Sequence, residues 1–285
     1  MTFLAPPPLP DIVLDPIVRL GLSEDLGRAG DLTTDATIPP GTQLTAHIRA
    51  RKSGILAGMD AAAYALKLVD TNVVLDQHIT DGSAIGPNDV IAVMNGPARS
   101  ILIAERTMLN FLGRLSGIAT LTSEFAAKIA HTKAKVVCTR KTTPGHRAVE
   151  KRAVRCGGGT SHRYGLDDAI LIKDNHIAAC GSIPEALKRA HAYAGHLRMI
   201  EIEVDNLGQL AEALRYKPHA VLLDNMEPDL LAKAVKMIDG QCLAEASGGI
   251  TLETIAAKAE TGVDYISVGA LTHSAINLDV GLDIL

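Results

Sequence analysis

Hydrophobic and polar positions change period three times along the chain, and each change predicts a different kind of element. Residues 11–35 read as a short helix followed by GDLTTDATIP, where Asp31 or Thr33 can cap and Pro39-Pro40-Gly41 turns the chain. Alternation follows. Leu44, Ala46 and Ile48 against Thr45, His47 and Arg49 give the period of a half-buried strand, which Ile55-Leu56-Ala57 continues after Gly54. An alanine-rich helix is expected over 59–69, a strand over 72–79, and two short strands over 81–98 around Gly86-Pro87 and Gly96-Pro97. From 99 to about 130 the period becomes helical, with Ile103, Leu109, Leu112, Leu115, Ile118 and Leu121 recurring and Gly113 and Gly117 interrupting.

Beyond that helix, strand and helix alternate. Strands are predicted at 135–139, 169–173, 199–204, 220–224, 243–247 and 265–269, with amphipathic helices at 183–194, 207–216, 228–238 and 252–260. Repeated βα units imply an α/β protein with a parallel sheet, and a closed or nearly closed barrel is the commonest way to use six of them.

Composition narrows the chemistry. The chain has 285 residues, 47% of them hydrophobic, enough for one large core or two smaller ones. Its four cysteines form no CxxC pair and no zinc-finger spacing, which points to a reducing cytoplasm. No eighteen apolar residues run together, and the N-terminal MTFLAPPPLP lacks a basic leader segment, so neither a membrane nor an export role is expected. With no tryptophan, few aromatics and a net charge of −4, nothing suggests a nucleic-acid binder. A carrier-domain role for the first module is disfavoured because no lysine stands between Asp70 and Arg99.

Charge is uneven. Between Thr139 and Arg163 stand Arg140, Lys141, Arg147, Lys151, Arg152, Arg155 and Arg163 against one acid, Glu150, so this stretch carries +6 and leaves −10 for the remainder. Such a local block, punctuated by Lys-Thr-Thr-Pro-Gly and Gly-Gly-Gly, suggests a pocket for a small polyanion, the alternative being a solvated helix face. Lys173, Glu203, Asp224 and Ser247 fall at the C-terminal ends of predicted strands, where barrel enzymes place their reacting groups. In IEIEV, Glu201 and Glu203 share the face opposite Ile200, Ile202 and Val204 and point into the barrel; Glu245 and Ser247 repeat that parity. Glu201 and Glu245 fit a structural ion pair as well as a site role, whereas Glu203 and Asp224 suit a divalent metal or ribose hydroxyls. Ser247-Gly248-Gly249 leading into a helix, with Val268-Gly269-Ala270 ending the last strand, forms a candidate phosphate seat.

Taken together, EDLGRAGDLTT, ERTMLNFLGRLSGIAT, TRKTTPGHR, GGGTSHRYGL, LIKDNH, EVDN, LLDNM, ASGGI and SVGALTHS make the chain similar, almost end to end, to the quinolinate phosphoribosyltransferases (nicotinate-nucleotide pyrophosphorylases), the type II phosphoribosyltransferases of NAD synthesis. One departure is Ser161, where members often carry Asn. The resemblance implies an N-terminal α/β sandwich over 1–115, rejoined by the tail 272–285, and an open, incomplete parallel α/β barrel over 116–271. It implies transfer of phosphoribosyl from phosphoribosyl pyrophosphate to quinolinate, with magnesium, in a homodimer or larger assembly. Arg140, His162, Arg163 and Lys173 would take the quinolinate carboxylates, with Arg106 supplied by a neighbouring subunit. Lys141 and Lys173 would face the donor, and Glu203 and Asp224 the ribose and magnesium. Ser247, Gly248, Gly249, Gly269 and Ala270 would take the 5-phosphate, with Thr139 and Val268 also lining the site. Lys141, Lys173, Glu203 and Asp224 are the expected catalytic groups. Two alternatives remain at this point: a paralogue acting on another aromatic acid, and a phosphate-binding barrel in which Lys173 forms a Schiff base.

Overall fold

A computed structural model describes residues 6–285, which form two compact units. The first comprises the chain up to Ser123, the segment Thr142–Gly158 and the tail Leu271–Leu285; the second comprises Glu124–Lys141 and Gly159–Ala270.

In the first unit, the helix Asp11–Leu26 buries Leu14, Val18 and Leu22, one residue per turn along a single stripe. Asp31 caps the helix Leu32–Thr37, accepting the Thr34 N–H at 2.9 Å. The alternating stretch becomes the strand Gln43–Ala50, central in a four-stranded antiparallel sheet. Its neighbours are Val90–Pro97 on one side and the tail strand Val280–Ile284 on the other, with Val74–Gln77 beyond Val90–Pro97. The expected continuation to Ala57 does not occur. Gly54–Ile55 pairs instead with Ala84–Ile85 in a separate ribbon, because side chains of the long helix take the backbone donors: Thr120 Oγ1 accepts from Ile55 N–H at 2.9 Å and Ser116 Oγ from Ala57 N–H at 3.0 Å.

That helix, Ala98–Lys128, runs unbroken for 31 residues through Gly113 and Gly117. The glycines are explained by close approach: a Cβ at Gly117 would lie 2.0 Å from the Ile276 carbonyl oxygen, and one at Gly113 would lie 3.0 Å from that of Leu278. Arg114, between them, gathers three segments, donating to Ala275 O at 3.0 Å and to Thr272 O and pairing with Glu150 at 3.0 Å.

The +6 block is divided between the two units, with Arg140, Lys141 and Arg163 in the second. Arg147, Lys151, Arg152 and Arg155 lie on the helix Arg147–Cys156 of the first unit. Arg152 is buried and pairs with Asp81, at 2.5 Å, and with Asp60, at 3.3 Å. Arg152 is thus part of a buried ion cluster, whereas Arg155 on the same helix is exposed.

The second unit is a six-stranded parallel sheet in the order Lys135–Val137, Tyr265–Ser267, Leu243–Ser247, Ala220–Asp224, Ile200–Val204, Ile170–Ile172. Lys135–Val137 and Ile170–Ile172 are the two edges and do not pair with each other, so the barrel is open. Ile183–Tyr193, Leu207–Leu214 and Pro228–Ile238 are the returning helices, begun by the Ser182 and Asn206 caps and by Pro228 at the first helical turn. The last predicted helix is shorter than expected, Ile255–Ala259. Ile200, Ile202 and Val204 are fully buried among aliphatic side chains, which leaves the alternate positions to the acids.

Candidate active site

Parallel strands place all their C-terminal ends on one rim, and the predicted residues of the second unit collect there. Thr139, Arg140 and Lys141 follow Lys135–Val137; Lys173 directly follows Ile170–Ile172; Asp224 and Ser247 are the last residues of their strands, and Glu203 is the penultimate one. His162 and Arg163 follow Thr160, which bridges to Val137. Lys173 Nζ pairs with Glu203 Oε2 on the adjoining strand. Lys141 N–H donates to Thr139 Oγ1 at 3.0 Å, tightening the turn that presents both cations.

Arg140 and Arg163 carry the strongest electrostatic signal. The Nε atom of each is buried and has no hydrogen-bond partner. Burial, then the neighbouring Arg140 guanidinium, holds the Arg163 pKa below the usual arginine value. Two like charges kept close with unused donors are an arrangement that a bound anion would relieve. Arg163 Nη1 reaches the Ala169 carbonyl at 3.2 Å. Its loop is tied by Asp168, which accepts from the backbone N–H groups of Tyr164 and Gly165. Burial works to raise the Asp168 pKa, but these backbone donors outweigh it and the carboxyl sits below its usual range. Asp168 was not among the sequence candidates; the Gly-Leu-Asp-Asp turn chemistry was the available signal.

Beneath these cations lie Glu201 and Glu245. His162 Nε2 is 3.0 Å from Glu201 Oε2 and 3.5 Å from Glu245 Oε1. Burial first, then the adjacent Glu201, pushes the Glu245 carboxyl up to about 7. The three side chains bring one ligand atom each within 4.8 Å of one another, an arrangement a metal could use. However, Arg163 N–H donates to His162 Nδ1 at 2.8 Å, which puts the ring proton on Nε2 and removes the lone pair a metal would need.

Glu203 and Asp224 fit magnesium better. Both offer hard carboxylate oxygens at neighbouring strand ends: Glu203 is held by Lys173, and Asp224 accepts from Asn225 Nδ2 at 2.6 Å.

The glycine loop differs from its expectation. The helix after Ser247-Gly248-Gly249 starts only at Ile255, so the free N–H groups belong to the loop itself and not to a helix start. Gly248 and Gly249 have φ of 88° and 59°, and a Cβ on Gly248 would lie 2.1 Å from Asn225 Oδ1. Successive left-handed glycines form a backbone concavity for an anion. Asn225, itself at φ 52°, donates its N–H to the Ser247 carbonyl at 2.9 Å and so braces the loop. Val268 and Gly269 follow the last strand of the barrel, and Ala270 opens the short helix Ala270–His273. Arg106 belongs to the other unit. It is exposed on Ala98–Lys128 in the first unit and makes no hydrogen bond or ion pair among the described residues. A cavity of about 690 Å³ opens among residues that precede the barrel strands, lined by Lys133, Lys217, His219, Cys242 and Asp264 among others; no predicted site residue borders it.

An open parallel barrel with basic and acidic side chains gathered on its C-terminal rim has the layout in which barrel enzymes place their reacting groups. Residues 31–116 match the quinolinate phosphoribosyl transferase N-terminal domain and residues 118–283 the C-terminal domain of the same name. The chain belongs to the quinolinate phosphoribosyl transferase family. It is 46% identical over 262 residues to the probable nicotinate-nucleotide pyrophosphorylase [carboxylating] of Bacillus subtilis, covering 92% of this chain and 90% of that one. It is 45% identical to the Mycobacterium leprae nicotinate-nucleotide pyrophosphorylase [carboxylating], over 94% of this chain and 95% of the other. The solved nicotinate-nucleotide pyrophosphorylase of Francisella tularensis superposes with a TM-score of 0.93 at 39% identity, covering 97% of this chain and 98% of that one.

Proposed function

We propose that this protein transfers the phosphoribosyl group of phosphoribosyl pyrophosphate to quinolinate with loss of carbon dioxide, forming nicotinate mononucleotide and pyrophosphate in NAD synthesis. The observation that carries the reading is the Arg140–Arg163 pair, whose two buried, unpartnered Nε groups call for a carboxylate-bearing acceptor. Family membership supports it.

In this reading Arg140, Arg163 and Lys173 hold the quinolinate carboxylates; His162, expected beside them, has both ring nitrogens engaged by the Arg163 N–H and Glu201 and is not assigned to a carboxylate. Lys141 and Lys173 face the diphosphate of the donor, Glu203 and Asp224 its ribose hydroxyls, and the loop Ser247–Gly249 with Gly269 and Ala270 its 5-phosphate. Glu203 and Asp224 would also hold magnesium, which when bound neutralises phosphate oxygens. As the bond from the anomeric carbon to pyrophosphate breaks, the pyridine nitrogen attacks that carbon; positioning by the surrounding cations supplies most of the acceleration. The ring nitrogen then carries a formal positive charge. Loss of the adjacent 2-carboxylate as carbon dioxide leaves an electron pair on carbon beside that charge, and a proton from solvent completes the product. No acid residue is required before that proton arrives.

Arg106 is assigned to the site of a neighbouring subunit in a homodimer or larger assembly; its exposed side chain, with no partner among the described residues, supports this. A cytoplasmic location is supported by four cysteines that form no disulfide, of which Cys156 and Cys242 are pushed up by burial to about 12 and about 11 and are therefore unreactive thiols. Isothermal titration of quinolinate into wild type, Arg140→Ala and Arg163→Ala tests the carboxylate assignment. Each variant is expected to lose at least about tenfold in affinity, the scale of one lost charged hydrogen bond. Unchanged affinity in both would move quinolinate elsewhere.

A further inference from the structure

Arg163 can grip a carboxylate only if its backbone is held against the repulsion of Arg140. At one end its loop is tied by Asp168, through Tyr164 and Gly165. The other tie runs through His162, which the resemblance would put on a quinolinate carboxylate, and through Glu201, to which the resemblance gives no role. Arg163 N–H donates to His162 Nδ1 at 2.8 Å. Because a backbone amide can only donate, Nδ1 keeps its lone pair and the neutral ring carries its proton on Nε2. That proton faces Glu201 Oε2 at 3.0 Å; Glu245 Oε1, 3.5 Å away, accepts no hydrogen bond. The side chains of His162 and Glu201 are 13% and 11% exposed, so solvent does not readily substitute for the acceptor.

We propose that Glu201 is a positioning residue for quinolinate binding: by accepting the Nε2 proton of His162 it fixes the ring whose Nδ1 anchors the Arg163 backbone. The chain of contacts runs from a barrel strand, Ile200–Val204, through one ring to the guanidinium-bearing loop. Rigid strands hold a site more precisely than loops do, and small misplacements of a binding group are costly. What the strut needs from Glu201 is an acceptor oxygen, not a charge. Gln supplies one and Ala does not.

This inference rests on Arg163 binding quinolinate, and the tests separate the two claims. In the ligand-free wild-type enzyme at neutral pH, nitrogen-15 NMR of His162 is expected to show Nε2 protonated and Nδ1 bare. A ring protonated on Nδ1, alone or together with Nε2, overturns the strut without any variant having to fold. Glu201→Ala is expected to raise KM for quinolinate about tenfold, the size of effect seen when a group orienting a ligand is lost. KM for the donor should stay within about twofold, and Glu201→Gln should restore quinolinate KM to within about twofold of wild type. Equal rises in both KM values, or a Gln variant as impaired as Ala, reject the proposal. If Arg163→Lys leaves quinolinate KM unchanged, the assignment of Arg163 has failed; if it raises that KM while Glu201→Ala is silent, only the strut has.

Discussion

Lys173 and Glu203 form an ion pair between adjoining strand ends of the barrel, and both are assigned to the transferring phosphoribosyl group. The pair satisfies each partner while no donor is present, so both charges stay assembled without an open penalty. Glu203→Gln and Asp224→Asn should each lower kcat/KM by about 2–4 kcal/mol of transition-state energy, the scale of one preorganised electrostatic contact. Thermal unfolding should shift little, because both residues sit at strand ends. Variants that unfold yet keep full activity per folded molecule would assign these acids to structure.

Arg152 makes the opposite prediction. It is buried with Asp81 and Asp60, and Arg152→Ala leaves two acids without their cation. The expected loss of stability is about 3–5 kcal/mol, read from denaturant melts, with the quinolinate KM of the remaining folded protein unchanged. A stable variant with raised KM would return Arg152 to the anion site.

Glu245 gives stability a pH dependence of definite sign. Its carboxyl is raised from 4.5 to about 7 in the folded chain. The stabilising effect of the bound proton is complete below 4.5 and is lost as pH rises through about 7, because the unfolded chain ionises first. Glu245→Gln cannot ionise, so it should gain stability relative to wild type between about pH 5 and about pH 8, checked by urea melts at the two values. A constant difference would mean that Glu245 titrates normally.

Arg106 is tested by mixing. Arg106→Ala and Lys173→Ala should each be nearly inactive. Co-refolded in equal amounts they should recover roughly a quarter of wild-type activity, because half the dimers are hybrids and each hybrid has one intact site. Hybrids confirmed by mass spectrometry but lacking activity would place Arg106 in its own chain's site.

The barrel was readable because its strands and helices keep regular periods and its acids sit at alternate, inward positions of IEIEV. Lys173, Asp224 and Ser247 could be placed from strand ends alone. What the chain order conceals is pairing between distant segments. Nothing local to Arg152 announces Asp81 or Asp60, so the basic run does not show that this arginine is taken up by a buried ion cluster within the first unit. Gly117 looked like a helix breaker because the carbonyl of Ile276, which excludes a Cβ there, is far along the chain. The partnership of His162 with Glu201 is equally nonlocal, joining a loop to a strand in the interior of the barrel. The Thr251 N–H donates to Thr254 Oγ1 at 3.0 Å in a turn ahead of Ile255, which starts the last helix later than its predicted start.

The central claim is donor-dependent decarboxylation, and release of labelled carbon dioxide from the 2-carboxylate of quinolinate measures it directly. Carbon dioxide should appear only when phosphoribosyl pyrophosphate and magnesium are both present, in step with nicotinate mononucleotide. Nicotinate, which lacks the 2-carboxylate and leaves site cations unpaired, should react with a kcat/KM lower by about 10⁴ or more. Release without the donor, or turnover of nicotinate comparable to that of quinolinate, would contradict the account.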